Sequence, residues 1–412
     1  MTSALAAHFF RHEFARLVAL LTRRVGVQHL ELVEDAVQAA LLAAVESWAT
    51  EVPENRSAWL YRVAHHQLMG ELRQRARRAE LLNGLEPHAW PANEEPPALF
   101  LAGEVQDSLL RMLFVCCESS IPLESQLVLA LKTLCGFDVR EIAQRLFTSE
   151  ANIYKRLERA RNRLCETPLL SNELKSEQLA ARLPAVQTIL YTLFTEGHLS
   201  SHVERAIRRE LCDEAQRLAD LLANHPIGRT PETFALLALM HLHSARMSAR
   251  QDGSGGLLLL EEQDRSQFDQ HELARGLSWL ARSATGDALS RFHAEAGIAA
   301  EHCLAPSFAE TRWERIVDCY ELLDRLAPSA IHTLNRALAV AECRGPEAGL
   351  ALLDALEPPS WLTGSYLWSA VLADLHARCG NTQLALRYRD SAFQLAPSPA
   401  IAASLRRRLA AS

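Results

Sequence analysis

Apolar residues recur at helical spacing along almost the whole chain, and strict alternation of apolar and polar positions is nearly absent. Between residues 31 and 48, for example, Leu32, Val33, Ala36 and Val37 share one side of a helix. Spacings of three and four residues predict amphipathic helices that bury one side. Alanine and leucine abound, whereas glycine and proline are sparse at 17 residues each, which also favours helix. The pattern predicts an all-α protein.

Residues 138–163 have the pattern of two short helices joined by a tight turn. In the second helix, Ile153, Leu157 and Ala160 predict a buried stripe, and Thr148 or Ser149 can cap its start. The opposite side carries polar and basic residues: Asn152, Lys155, Arg156, Arg159 and Arg163. A basic second helix is what a helix-turn-helix needs to enter a DNA major groove. An ordinary helical hairpin with a solvated charged side would show the same spacing.

A second group of candidate functional residues lies at 57–78, in a predicted helix that Ser57 can cap. Its first turns carry aromatic and basic residues, and an arginine cluster follows. These residues are Trp59, Tyr61, Arg62, His65 and His66, then Arg73, Arg75, Arg77 and Arg78. Aromatic side chains followed by dense arginine suit single-stranded nucleic acid, whose bases stack and whose phosphates are neutralised. A core role for Trp59, with arginines that complement the helix dipole, would give the same pattern.

Composition divides the chain into four parts. Residues 81–103 carry four prolines, two glycines and a short acidic run, which predicts a linker. This linker separates a helical unit at 1–80 from a second helical unit at 104–168. Residues 169–412 form a long helical extension.

Charge and cysteine usage exclude several classes of protein. The net charge of −7 does not suggest a whole-protein nucleic-acid binder, so local basic patches would carry any docking on phosphates. The nine cysteines are scattered without a CxxC pair, which favours a reducing cytoplasm over a zinc site or a disulfide frame. Neither a signal peptide nor an apolar run of about 20 residues is recognisable, so we expect no membrane segment.

Catalytic and metal-binding patterns are missing from the sequence. Histidine pairs such as His198 and His202 lack nearby residues that would complete a ligand set. Serine, histidine and aspartate are plentiful, but no strained nucleophile elbow is recognisable. We therefore expect no metal, no cofactor and no enzymatic activity.

Taken in order, these motifs resemble those of extracytoplasmic-function (ECF) sigma factors of the sigma-70 family. The order is a helix with Glu34, Asp35 and Gln38, the sequence WLYRVA at 59–64, an arginine-rich helix end, a proline-containing linker, and a helix-turn-helix at 141–164. The resemblance covers roughly the first 165 residues. It implies a protein that brings RNA polymerase to promoters and leaves catalysis to the polymerase.

The resemblance also implies three contact surfaces. Glu34, Asp35 and Gln38 would dock on the clamp helices of the β′ subunit of core RNA polymerase, and the helix-turn-helix unit would meet its β flap. The −10 element of promoter DNA would be melted and read by Trp59, Tyr61, Arg62, His65, His66 and Arg73. The −35 element would be read by Asn152, Lys155, Arg156, Arg159 and Arg163. The sequence departs from the family at Gly70 and Glu71, where an acid or amide and a basic residue are usual.

The extension resembles tetratricopeptide repeats in its last stretch. Small and turn-forming residues fall at the offsets of that repeat: Gly380, Ala385, Ala392 and Pro397. The stretches 190–201 and 236–269 resemble an ECF subgroup in which such an extension is thought to control sigma activity. A protein or peptide partner on the repeat surface is expected by analogy. A polar network that fixes a loop is the expected role of Glu262, Gln263, Asp264 and Arg265.

Two other functions fit parts of the pattern. One is a helix-turn-helix regulator that binds DNA without polymerase and carries a tetratricopeptide-like interaction domain. The other is a helical-repeat scaffold whose basic helices are incidental. Changes at Asp35 and Gln38 would abolish polymerase binding only in a sigma factor, and salt-dependent DNA binding would be absent from a scaffold.

Overall fold

The computed structural model describes residues 3–48, 52–83, 102–146, 148–166, 176–198, 208–251, 258–396 and 399–410. Within these ranges the regular structure is helical: 19 α-helices are joined by turns and short 3-10 helices. The prediction of an all-α protein is confirmed.

Seven helices make up the part of the chain that carries the predicted contact surfaces. They are α1 (Ser3–Val25), α2 (Leu30–Ser47), α3 (Arg56–Asn83), α4 (Ala102–Cys116), α5 (Leu123–Thr133), α6 (Val139–Arg145) and α7 (Glu150–Glu166). We call α1–α3 the N-terminal module and α4–α7 the helix-turn-helix module. Most of the predicted linker, residues 84–101, lies outside the described residues.

Twelve further helices are described in the extension. They are α8 (Ser176–His198), α9 (Arg209–Asn224), α10 (Pro231–Ala245), α11 (Gln270–Ser283), α12 (Arg291–Leu304), α13 (Trp313–Leu326), α14 (Ala330–Arg344), α15 (Pro346–Asp354), α16 (Ser360–Thr363), α17 (Tyr366–Arg378), α18 (Thr382–Gln394) and α19 (Pro399–Ala410). The chain divides into two compact units, residues 1–189 and 190–412. Helix α8 therefore begins in the first unit and ends in the second.

Helix α1 is the centre of the first unit. Its residues Leu17, Val18 and Leu21 are completely buried, because α1 packs against α2 and α3 as well as against α4 and α5. Burial of such aliphatic side chains is the main favourable contribution to folding. Since α1 contacts helices from both sides of the predicted linker, the two modules pack against each other along α1.

A glycine permits the close approach of the two modules. Gly136 has a φ of +65°, and a Cβ at this position would lie 2.7 Å from the backbone carbonyl oxygen of Arg11. The guanidinium of Arg11 in turn lies over the ring of Phe137, 4.5 Å from its centroid. Both the left-handed backbone conformation and the lack of space require glycine here.

The second unit is built around α10, which packs against α9, α11 and α12. Because α10 is enclosed by neighbouring helices, its sequence is apolar on nearly all sides, and Leu236, Leu237 and Leu242 are completely buried. From α12 onwards, most helices pack against the next one along the chain. Close packing is helped by Gly349, where a Cβ would lie 2.6 Å from the carbonyl oxygen of Ala337.

Two of the residues predicted from the repeat pattern have the backbone conformation or the burial expected at their positions. Gly380 has a φ of +77° in the turn between α17 and α18, and Ala392 is completely buried in α18. Ala385 is half-buried, and Pro397 lies outside the described residues. The tetratricopeptide assignment stays a prediction. None of the described helices combines the length and the apolar composition that crossing a bilayer requires.

Candidate nucleic-acid interface

Side chains at the starts of both helices, α6 and α7, cap the helix-turn-helix. Asp138 caps α6 reciprocally with Glu141: Glu141 N donates to Asp138 Oδ1 at 2.6 Å, and Asp138 N donates to Glu141 Oε2 at 2.9 Å. Ser149 caps α7, since its Oγ accepts from Asn152 N at 3.2 Å. Asn152 Nδ2 also donates to Thr148 Oγ1 at 2.7 Å. These bonds satisfy amides that would otherwise lack partners at the two helix starts.

The predicted −35 residues differ in exposure and in ion pairing. Lys155, Arg159 and Arg163 are exposed on one side of α7. Arg156 is only partly exposed, and its Nη2 forms an ion pair with Glu124 at 2.6 Å. Lys155 and Arg159 pair with no acid among the described residues, so they are the cations most available to phosphates or base edges.

Helix α3 presents a basic outer side. Arg62, His66 and Arg73 are exposed, and Arg73 Nε donates to the carbonyl oxygen of Met69 at 3.1 Å. The arginine cluster continues this exposed side at positions Arg75, Arg77 and Arg78. A row of arginines along a helix is an electrostatic track for a phosphate backbone.

The aromatic residues of α3 are less accessible than the basic ones. Tyr61 is only 2% exposed, and its ring stacks on that of His65 with 5.6 Å between centroids. Trp59 is half-buried against Trp48, with 5.7 Å between ring centroids. We therefore expect Tyr61 to support His65 from within the core rather than to stack on a base itself.

The predicted polymerase-docking residues of α2 also differ in the exposure of their side chains. Asp35 and Gln38 are exposed, whereas the side chain of Glu34 is only 4% exposed. Glu34 Oε2 accepts a short hydrogen bond from Nη2 of Arg161 in α7. Burial raises the pKa of Glu34, although the charge of Arg161 acts in the opposite direction. In this conformation, Asp35 and Gln38 are available to a partner and Glu34 is not.

Further contacts join the two modules around this ion pair. Arg161 Nη1 also lies 3.0 Å from Glu31 Oε1, and Arg11 Nη2 lies 3.0 Å from Glu141 Oε1. Sequence reasoning missed Arg161 and Arg11 as functional candidates. A signal for Arg161 was present, because two residues along an α-helix turn through about 200°, which places it on the side opposite Arg159.

The start of the extension also touches the helix-turn-helix module. In the part of α8 that belongs to the first unit, Arg182 forms a short ion pair with Glu118, which follows α4. Arg182 Nη1 also donates to the carbonyl oxygen of Phe114 at 3.3 Å. Both side chains of the ion pair are largely buried.

Three segments of the chain match known protein families. Residues 9–78 match the family described as sigma-70 region 2, and residues 112–164 match the family described as sigma-70, region 4. Residues 182–284 match a family of unknown function (DUF6596). The chain is 33% identical over 389 residues to the uncharacterized protein R00370 of Rhizobium meliloti (strain 1021), which covers 93% of this chain and 90% of that protein. No solved structure matches the chain.

The two matches to sigma-70 regions coincide with the two modules built above. The first covers most of α1 to α3, which carry the exposed Asp35 and the arginine row. The second covers the helix-turn-helix with its exposed Lys155 and Arg159. The third match covers α9, α10 and α11 and most of α8. The chain therefore belongs to the sigma-70 family, as an ECF-like sigma factor in which regions 2 and 4 are followed by a helical C-terminal extension.

Proposed function

We propose that this sigma factor binds core RNA polymerase through the exposed side of α2 and directs it to promoters with specific −10 and −35 elements. The exposed cations Lys155 and Arg159, which pair with no acid in the described ranges, carry this proposal from the second helix of a capped helix-turn-helix. They lie where a recognition helix contacts base edges and phosphates in the major groove. Asp35 and Gln38 supply a polar surface for the β′ clamp helices.

Promoter melting would fall to α3. Extruding a base from the −10 strand costs a few kcal/mol, which a pocket and stacking contacts can offset. His66 and Arg62 are exposed on α3 for such contacts, His65 is half-buried beside them, and the arginine row can hold the displaced strand by its phosphates. The chain supplies binding and positioning, and the polymerase supplies the chemistry. Since polymerase and promoter are in the cytoplasm, this function places the protein there.

The contact between the two modules has a consequence for promoter binding. The −35 and −10 elements lie roughly 25 base pairs apart, which is about 85 Å along B-form DNA at 3.4 Å per base pair. In the structure, Arg161 of the helix-turn-helix module touches Glu34 of the N-terminal module. Modules in direct contact cannot occupy both elements at once. We infer that the described conformation is a closed form and that the modules separate when the polymerase binds.

We propose that the extension modulates this opening. The buried Arg182–Glu118 ion pair supports this part of the proposal, because it joins the first helix of the extension to the helix-turn-helix module. A protein or peptide that binds the repeat-like helices could act on the module through α8. Such a partner fits the repeat analogy.

Transcript mapping with reconstituted holoenzyme tests the proposal. We expect core polymerase with the full chain to start transcription at a defined set of promoters, and a chain ending at Ile189 to use the same promoters at a different level. The full chain should also bind β′ in a pull-down, and changes at Asp35 and Gln38 should weaken that binding at least about tenfold. Absence of any used promoter with both chains would refute the sigma function. Unchanged promoter use by the shortened chain would refute only control by the extension.

A further inference from the structure

One acidic residue interrupts the basic side of α7. Glu158 is exposed, and in the sequence it lies between the exposed cations Lys155 and Arg159. Three residues along an α-helix turn through about 300°, so Glu158 lies about 60° from Lys155 around the helix axis. The buried stripe of α7, which includes Ile153 and Leu157, lies on the other side. DNA that contacts Lys155 and Arg159 therefore also meets the carboxylate of Glu158.

This carboxylate pairs with no cation in the part of the chain that the structure describes. Glu166, at the end of the same helix, differs in this respect, because its Oε2 lies 3.1 Å from Nη1 of Arg163. A lysine that precedes an acid on a helix is in the less favourable order for an ion pair, which fits the lack of a bond between Lys155 and Glu158. The oxygens of Glu158 are thus available to a donor on a ligand.

A shallow depression on the surface of α7 places this carboxylate and the neighbouring cations around one space. The depression has a volume of about 290 Å³ and is open to solvent. The residues that line it are Lys155, Glu158, Arg159, Asn162, Arg163 and Glu166. A single surface that enters this space therefore meets a negatively charged acceptor and several positively charged donors together.

DNA offers a carboxylate few partners. Phosphate oxygens repel it, because both groups carry negative charge. The hydrogen-bond donors in the major groove are the amino groups at N4 of cytosine and N6 of adenine. Adenine also presents the acceptor N7 beside its amino group, and this acceptor repels a carboxylate, whereas cytosine presents only the donor. A carboxylate on a recognition helix therefore favours cytosine.

The charge of Glu158 affects specificity more than affinity. Lys155 and Arg159 attract every DNA sequence through its phosphates, and an acid between them reduces that general attraction. The lost attraction is offset only where a base donates a hydrogen bond to the acid. An unpaired charge of this kind discriminates against wrong partners.

We propose that Glu158 recognises a cytosine of the −35 element by accepting a hydrogen bond from its N4 amino group. This inference rests on the proposed function, because it requires α7 to enter the major groove as a recognition helix. Any other base except adenine would leave the carboxylate without a donor at a contact from which DNA excludes water. We expect cytosine to be favoured about fivefold or more, at the lower end of the range for a specific base contact.

Selection from randomised −35 sequences tests the proposal. A promoter that the full-chain holoenzyme uses is randomised over its −35 region, and the bound DNA is sequenced at constant salt. The variants are Glu158→Ala and Glu158→Gln, and the control Glu166→Gln removes one acid from the same helix and depression. We expect the wild type and the control to favour cytosine at one position about fivefold or more. Glu158→Ala should lose that preference at that position alone, and Glu158→Gln should shift it towards adenine, which an amide contacts through both N6 and N7.

The pattern across the library separates base recognition from a general effect of charge. If Glu158 only repels DNA, both glutamine variants should strengthen binding to all sequences by similar factors and leave the base preferences unchanged. That result would overturn the proposal and leave the sigma function intact. A wild type without a preference for cytosine at any randomised position would do the same. A wild-type holoenzyme that uses no promoter would overturn both proposals.

Discussion

The ion pair between Glu34 and Arg161 should hold the closed form, and the two partners should contribute unequally. Burial of Glu34 raises its pKa even though Arg161 lies beside it, so the arginine only partly offsets the cost of burying the carboxylate. Replacing Arg161 by Ala leaves that carboxylate buried and unpaired. Replacing Glu34 by Gln removes the buried charge itself and leaves a partly exposed arginine that water can solvate.

The size of the effect follows from the exposure of the two side chains. Removing one partner of a buried ion pair costs about 3 to 5 kcal/mol, whereas an exposed pair contributes roughly 0 to 1 kcal/mol. Glu34 is 4% exposed and Arg161 is 22% exposed, so the pair lies between these limits. We expect Arg161→Ala to weaken the closed form by about 2 kcal/mol, which shifts the equilibrium towards the open form roughly 30-fold. Glu34→Gln should shift it by less than about threefold, and in the double variant it should largely reverse the effect of Arg161→Ala.

Spin-label distance measurements can report the opening. One label is placed on Cys165, the exposed cysteine of α7, and another on Gln67→Cys of α3, which is also exposed. The half-buried cysteines of the second unit are first replaced by serine: Cys319, Cys343 and Cys379. We expect a short distance in the wild type and in Glu34→Gln, and an added long distance in Arg161→Ala. Equal opening by both single variants, or none by Arg161→Ala, would refute this account of the contact.

Four further outcomes are expected. Arg159→Ala should weaken binding of the holoenzyme to the −35 element by about 1 to 3 kcal/mol in a gel-shift titration, because Arg159 is exposed and pairs with no acid in the part of the chain that the structure describes. Alanine at Asp35 and Gln38 together should weaken binding to the β′ clamp helices at least about tenfold by surface plasmon resonance. Gly70→Ala should raise the free energy of unfolding by about 1 kcal/mol in urea, since Gly70 lies inside α3 with no atom within 4 Å of an added Cβ. The pKa of His243 is about 3 in the folded protein, which is below the pKa of about 6.5 of an unfolded histidine. The contribution of neutral His243 to stability is therefore complete above pH 6.5 and is lost as the pH falls. By pH 5 the free energy of unfolding should drop by up to about 2 kcal/mol, as measured by urea unfolding at each pH.

Each of these predictions has a matched control. Arg156→Ala should weaken −35 binding less than Arg159→Ala, because Arg156 is already paired with an acid. A larger effect of Arg156→Ala would mean that a different side of α7 contacts the −35 element. Glu46→Ala, an exposed change elsewhere on α2, should leave β′ binding unchanged. Gly136→Ala should lower the free energy of unfolding, because Gly136 has a left-handed backbone conformation and no space for a Cβ. If Gly70→Ala also lowered the free energy of unfolding, the description of Gly70 as an ordinary exposed position inside a helix would be wrong. His243→Phe should remove its share of the acid sensitivity, and an unaltered pH profile would show that His243 titrates normally.

Local pattern in the sequence was enough to predict much of this protein. The stripe of Ile153, Leu157 and Ala160 is completely buried, and the opposite side of the helix carries the exposed Lys155 and Arg159, as helical periodicity requires. The caps at α6 and α7 depend on residues three positions apart, which a sequence displays directly. Fold class and the two sigma regions could therefore be read without coordinates.

Tertiary structure alone decided which of the candidate residues are accessible. Glu34 and Arg161 are separated by 127 positions, and nothing in local periodicity indicates that they pair. Tyr61 was a candidate for DNA contact, but packing of α3 against its neighbours buries it. Periodicity reports one side of one helix at a time, whereas burial and charge balance depend on every element packed around a residue.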